Sequence, residues 1–211
     1  AHSDFFEALF GHQARGRQRP GMHARGRDHH AKVLIDLEDA YHGAQRSISL
    51  RMPVPDEHGR IALRERKLDV RIPKGIRAGQ HLRLAGQGEP GVGEGPPGDL
   101  FLEIEFKPHA QFRVVGPDVY LDLPLAPWEA ALGCSLTVPT PEGSVQLTIP
   151  AGSAAGRQLR LKGKGIPGKA PGDLYAVLAI VLPPAVSEKE QAAYRAMAEA
   201  FDFNARAAMK G

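Results

Sequence analysis

Two glycine spacings in the chain match a phosphate-binding order. Gly86-x-Gly88-x-x-Gly91 and Gly163-x-Gly165-x-x-Gly168 both carry the G-x-G-x-x-G pattern. In dinucleotide-binding folds that order works because a helix starts at the turn and its first amides take the pyrophosphate. Here Pro90 and Pro167 fall inside the pattern, and a Gly/Pro stretch leads on to a strand. Without the helix the spacing reads as a strand (Leu82, Leu84; Leu159, Leu161) leaving through a turn that needs positive φ.

The other reactive residue types form no constellation. Of nine histidines, His2, His12, His23, His29 and His30 fall in or near one polar N-terminal stretch. A metal site needs ligands fixed by further hydrogen-bonding partners, which such a stretch does not supply. The single Cys134 has no identifiable base beside it, as a catalytic thiol requires, and reads as a small buried hydrophobe. No Ser/His/Asp grouping stands out. The expectation is a protein that is not an enzyme and takes no cofactor and no metal. One cysteine also excludes an internal disulfide, which fits a reducing, cytoplasmic setting.

The charge is unevenly placed. The net charge is +3, yet residues 11–30, "GHQARGRQRPGMHARGRDHH", set Arg15, Arg17, Arg19, Arg25 and Arg27 against Asp28 alone. Beyond residue 30 acids and bases nearly cancel. This segment has almost nothing apolar and cannot build a core, so residues 1–30 read as a flexible Gly/Arg/His-rich linker end. Its arginines suit contact with a duplex phosphate backbone or a narrow minor groove. They do not suit base reading, since no helix-turn-helix or finger pattern is present.

The elements around these residues come in two copies. "IPKGIRAGQHLRLAGQGEPG" (72–91) returns as "IPAGSAAGRQLRLKGKGIPG" (149–168), and each phrase leads to Pro-Gly-Asp-Leu. Apolar residues alternate with polar ones at Val33–Leu37, Ser47–Arg51, Leu68–Ile72, Leu100–Phe106, Val119–Leu125 and Val145–Ile149, marking half-buried strands. The run from Leu174 to Leu182 is apolar on both faces. "EDAYHG" and "PWEAALG" read as short helical turns. At the C-terminus Ser187 and Glu190 make a capping box, and Tyr194, Met197 and Phe201 recur at helical spacing. That stripe must be buried in cis or against a second copy. No apolar run is long enough to cross a membrane, and "AHSDFFEALFG" lacks the layout of a signal peptide.

Taken together, "DFFEALFG", "DLEDAYHGAQRSISL", the two glycine phrases, "GDLFLEIEFKPHAQF", "LPLAPWEAALG" and "GDLYAVLAIVLPP" resemble the C-terminal part of DnaJ-type co-chaperones. The wording is nearest to the branch without a zinc module that includes curved DNA-binding protein A. The His-Pro-Asp loop of a J domain and a cysteine-rich module do not occur in these 211 residues. The resemblance implies a mainly β fold: two tandem small β-sandwich-like domains, at 31–108 and 109–184, then a C-terminal dimerisation helix and tail at 185–211. It implies client binding in a shallow apolar groove of the first domain. The matching positions are Val33 and Ile35 on the first strand, Ile48 and Leu50 on its hairpin partner, and Phe112. Arg46 falls where the family often places a basic residue that meets acidic peptide tails. Implied partners are unfolded or misfolded polypeptides, a DnaK-type chaperone, curved double-stranded DNA in the nucleoid, and a second copy through Tyr194, Met197 and Phe201.

Two functions from different classes remain open at this point. One is the client-binding body of a co-chaperone. The other is a nucleoid DNA-binding protein reading duplex shape. A carbohydrate-binding sandwich lacks the aromatic platform it would need, with one Trp and four Tyr scattered through the chain.

Overall fold

The computed structural model of the chain describes residues 22–209. It is mainly β, with eleven strands and three short helices among the described residues. In chain order these are β1 (His29–Ile35), α1 (Leu37–His42), β2 (Ala44–Pro55), β3 (Ile61–Ile72), β4 (His81–Leu84), β5 (Leu100–Phe106), β6 (Phe112–Val115) and β7 (Asp118–Leu125). There follow α2 (Pro127–Leu132), β8 (Cys134–Thr140), β9 (Gly143–Ile149), β10 (Gln158–Leu161), β11 (Leu174–Ile180) and α3 (Glu188–Ala200).

The strands form four sheets. One is ordered β1-β5-β4, one β10-β11-β7-β6, and two are the two-stranded ribbons β2-β3 and β8-β9. In the second, β11 lies parallel to β7 and antiparallel to β10. The first strand therefore pairs with β5, and β2 pairs with β3. This corrects the expectation that β1 and β2 form a hairpin: α1 intervenes and turns the chain into a separate ribbon.

Period two places alternate side chains inward, and the central strands show it. Leu100, Leu102 and Ile104 of β5 are fully buried, as are Leu174, Ala176 and Leu178 of β11. α1 and α2 each end at a glycine of positive φ, Gly43 (73°) and Gly133 (77°), whose N–H closes on Asp39 O and Glu129 O. The glycine phrase behaves alike in both copies. Gly79 N–H donates to Ile104 O at 2.8 Å, and Gly156 N–H to Leu178 O at 2.7 Å. No helix follows either G-x-G-x-x-G turn; the chain passes through a loop into β5 or β11.

The chain divides into two compact units that cut across the sequence repeats. Among the described residues, one comprises 22–34, 47–69 and 79–105; the other comprises 35–46, 70–78 and 106–209. In the first unit Met52 and the β5 leucines are core. In the second, Ile35, Leu37, Tyr41, Val70, Ile72, Ile76, Phe112, Ile149 and Ile166 are buried with the β7 and β11 side chains. Tyr41 is completely buried and its hydroxyl donates to Lys164 O at 2.9 Å; burial pushes its phenol well above the ordinary value.

Residues 24–28, read from composition as part of a loose linker, are ordered. Ala24 exchanges backbone hydrogen bonds with Val92, Gly26 N–H donates to Pro96 O, and Glu89 N–H donates to Arg27 O. The signal for this was in the sequence. "RGRD" (25–28) precedes β1 as "VGPD" (115–118) opens β7, so the first repeat begins before residue 30.

Candidate functional site

Each copy is organised by one aspartate after its glycine loop. Asp99 accepts from Gly86 N–H (2.9 Å) and Arg83 Nε (2.8 Å), while its own N–H donates to Asp28 Oδ1 (2.7 Å). Asp173 repeats this with Gly163 N–H (2.8 Å), Arg160 Nε (2.7 Å) and Asp118 Oδ1 (2.8 Å). The loop amides and the arginines hold both carboxyls below the usual carboxylate range. An aromatic pair repeats as well: His30 stacks on Phe101 at 5.1 Å, and Tyr120 on Tyr175 at 5.2 Å. These groups are scaffolding, and they set where the surfaces lie.

The sequence-derived groove residues separate into two classes. Val33, Ile48 and Leu50 are half-buried, leaving apolar surface open to solvent. Ile35 (3% exposed) and Phe112 (5%) are core in the second unit. Phe112 sits in β6 opposite Leu121, with the His109 ring tilted over it at 4.9 Å. His109 Nε2 in turn meets Glu38 Oε1 at 2.7 Å. Arg46 is gripped by buried Asp39 through two bonds, Nε to Oδ2 at 2.9 Å and a terminal nitrogen to Oδ1 at 2.6 Å. That pairing raises the guanidinium above its already high ordinary value, so its charge is fixed and locally compensated.

Equivalent positions in the two ribbons differ in exposure. Counting from Gly43 and Gly133, Ile48 corresponds to Val138 and Leu50 to Thr140. Val138 is fully buried and Thr140 nearly so, whereas Ile48 and Leu50 are only half-buried. Each of β2 and β3 has one ladder partner, the other, and so carries an unpaired edge. The β3 side adds Ile61 and Leu63, both largely exposed. Those two were missed in the sequence reading because they lie close to the hairpin tip, where the alternation is broken by Arg and Glu.

Of the arginine segment, Arg15, Arg17 and Arg19 lie outside the described residues. Arg25 faces Asp28 (3.1 Å) and Asp99 (3.2 Å). Arg27 contributes its carbonyl to the docked segment.

At the C-terminus the capping box is formed. Ser187 Oγ accepts from Glu190 N–H (3.2 Å), and Glu190 accepts from the amides of Ser187 (2.8 Å) and Val186 (2.6 Å), which lower its pKa. No residue of α3 is buried. Tyr194 donates to Pro183 O at 2.5 Å, tying the helix to the preceding segment. Met197 and Phe201 remain exposed. Tyr194 and Met197 line an apolar cleft of about 320 Å³ with Pro127, Trp128, Pro183 and Pro184. Trp128 as a wall of this cleft was not foreseen; "PWEAAL" gave only a helical turn.

Cys134 is half-buried, and burial together with Glu129 raises its thiol pKa, the reverse of an activated nucleophile. Among the described residues no group of three or more His, Cys, Asp or Glu could hold a metal ion. Among them, too, no helix is long and apolar enough to cross a membrane.

The DnaJ C terminal domain family matches residues 29–183. A protein named "Curved DNA-binding protein" from Coxiella burnetii (strain Dugway 5J108-111) is 46% identical over 213 residues, covering 99% of this chain and 68% of that protein. One of the same name from Escherichia coli O157:H7 (strain EC4115 / EHEC) is 48% identical over 200 residues, covering 93% of this chain and 65% of that protein. The match spans both copies of the repeated unit, and the chain belongs to the DnaJ C terminal domain family.

Proposed function

We propose that the chain is a polypeptide- and duplex-binding body that works beside a DnaK-type chaperone in the cytoplasm and nucleoid when a J domain accompanies it. Client segments add along the β2–β3 ribbon, with Ile48 and Leu50, flanked by Val33, as the apolar contacts. The observation that carries this is the open state of Ile48 and Leu50 where the second copy seals Val138 and Thr140. An extended, unfolded segment offers both unpaired backbone and apolar side chains, and an edge strand accepts both. Arg46 borders the site with its charge held by Asp39. Ile35 and Phe112, buried in the core of the second unit, are left out of the proposed client surface.

Duplex binding rests on the relatives' printed names and on the arginine segment, with Arg15, Arg17, Arg19, Arg25 and Arg27 as its cations. Neutralising three phosphates changes the salt slope of binding by about 2.7. A crossed experiment separates the two activities. Ile48→Ser/Leu50→Ser should lose suppression of client aggregation and keep duplex affinity. Arg15→Gln/Arg17→Gln/Arg19→Gln should do the opposite and flatten the salt slope. Unchanged aggregation suppression in the first variant removes the ribbon as the client site. An unchanged slope in the second removes the arm as a duplex contact.

The Met197/Phe201 face of α3 is proposed as the contact with a second copy, which doubles the number of client ribbons and raises avidity. Light scattering should then give half the wild-type mass for Met197→Glu. Equal masses would leave the helix without that role.

A further inference from the structure

The folded body carries a second concentration of positive charge that the chain-wide balance conceals. Between Ala151 and Gly172 stand Arg157, Arg160, Lys162, Lys164 and Lys169 with no acid, and between Val70 and Gln80 stand Arg71, Lys74 and Arg77 with none. The structure brings these two stretches together inside one compact unit. Gly75 lies so close to the Pro167 carbonyl that a Cβ there would approach it to 2.7 Å. Arg77 donates to Ala170 O at 2.8 Å, and the buried Tyr41 hydroxyl holds Lys164 O at 2.9 Å. The two turns are therefore fixed against each other by backbone contacts, and Lys74 is presented beside the Lys162–Lys169 loop.

Among the described residues, Lys74, Lys162, Lys164 and Lys169 form no salt bridge, while Arg160 is taken by Asp173. One acid, Glu142, is near enough to act on Tyr41. The corresponding turn of the first copy is different in kind. Lys162 and Lys164 are replaced by Ala85 and Gln87, and that loop carries Glu89 and Glu94. Since both turns make the same backbone bonds, the lysines are not needed to form the turn.

We propose that the paired turns 71–78 and 157–170 are a phosphate-backbone contact surface for double-stranded nucleic acid, separate from the arginine arm. The inference rests on the duplex-binding reading above and places part of that binding on the folded body. Two features select this partner. No exposed large hydrophobic residue occurs between Leu63 and Val92 or between Leu132 and Ile180, so the surface offers nothing to an apolar peptide or to lipid acyl chains. No aromatic side chain lies in either turn to stack an unpaired base, as a single strand requires.

The test uses the full chain and a variant, Lys74→Gln/Lys162→Gln/Lys169→Gln, with duplex affinity measured across a salt series. Three lost phosphate contacts flatten the slope by about 2.7, so between ~50 and ~200 mM salt wild type loses about fortyfold more affinity than the variant. Wild-type binding with an unchanged slope in the variant overturns the surface while leaving the arm and the duplex reading intact. Absence of duplex binding by wild type overturns both. A polyglutamate peptide serves as the second probe: if the variant loses that peptide and retains duplex, the surface belongs to acidic polypeptide and the proposal fails. Lys→Arg at the same three positions should restore the wild-type slope.

Discussion

The two copies make the same bonds around Asp99 and Asp173, and they part company immediately after their short helices. In the first copy the ribbon is β2–β3, with twelve residues in each strand. In the second it is β8–β9, with seven in each. Asp39 and Arg46 form a bidentate pair in the first, where the second has Glu129 and Leu136, with Glu129 turned back to cap the Ala126 N–H. The glycine loops are acidic in the first copy and basic in the second. Duplication has kept the groups that satisfy buried backbone and released the ones that face solvent. A paired carboxylate cannot be changed alone without leaving donors unpaired, whereas a ribbon tip or a loop lysine can.

The largest expected effect lies in the core, at a position where the copies differ. Leu102 and Ala176 occupy equivalent sites on β5 and β11, and both are fully buried. Leu102→Ala should cost about 2–5 kcal/mol through lost burial and the cavity left behind. Ala176→Leu should cost about 1–3 kcal/mol through overpacking. Denaturant midpoints measure both, and a neutral result for either would mean that the cores are more alike than their side chains.

A smaller effect should separate the hubs. The Gly86 amide and Arg83 lower the Asp99 carboxyl, and the Gly163 amide leads for Asp173. A lowered carboxyl contributes stability above the usual carboxylate range and loses it as pH falls through the lowered value. Asp99→Asn and Asp173→Asn should therefore be less stable than wild type near neutrality, with the gap closing in acid. Asp99 also meets Arg25 and is the less exposed of the two side chains, 8% against 14%. Asp99→Asn should lose more, and equal losses would show that Arg25 adds nothing.

Much of this was legible in the chain. Period-two patterning located β5 and β7 closely, the apolar run from Leu174 located β11, and Ser187 with Glu190 marked the start of α3. The glycine phrase was read rightly as a turn because proline excludes the phosphate-binding helix. Three things escaped. β6 is only four residues long, too short for alternation to show, and Pro139 inside β8 counts against reading that run as a strand. The docking of residues 24–28 escaped because composition reports what cannot form a core and is silent about backbone that pairs with a loop. Groove and core could not be told apart by period, which is why Ile35 and Phe112 stood beside Ile48 and Leu50: alternation says that a side chain points inward, and only the packing around it says whether it is covered.

The central claim is that adhesion belongs to the first copy's ribbon while the second copy's ribbon stays closed. Amide hydrogen exchange, with and without a permanently unfolded polypeptide, tests it most directly. The account predicts added protection from Ser47 to Met52 and none from Leu136 to Thr140. Protection on β8–β9, or on neither ribbon, would contradict it.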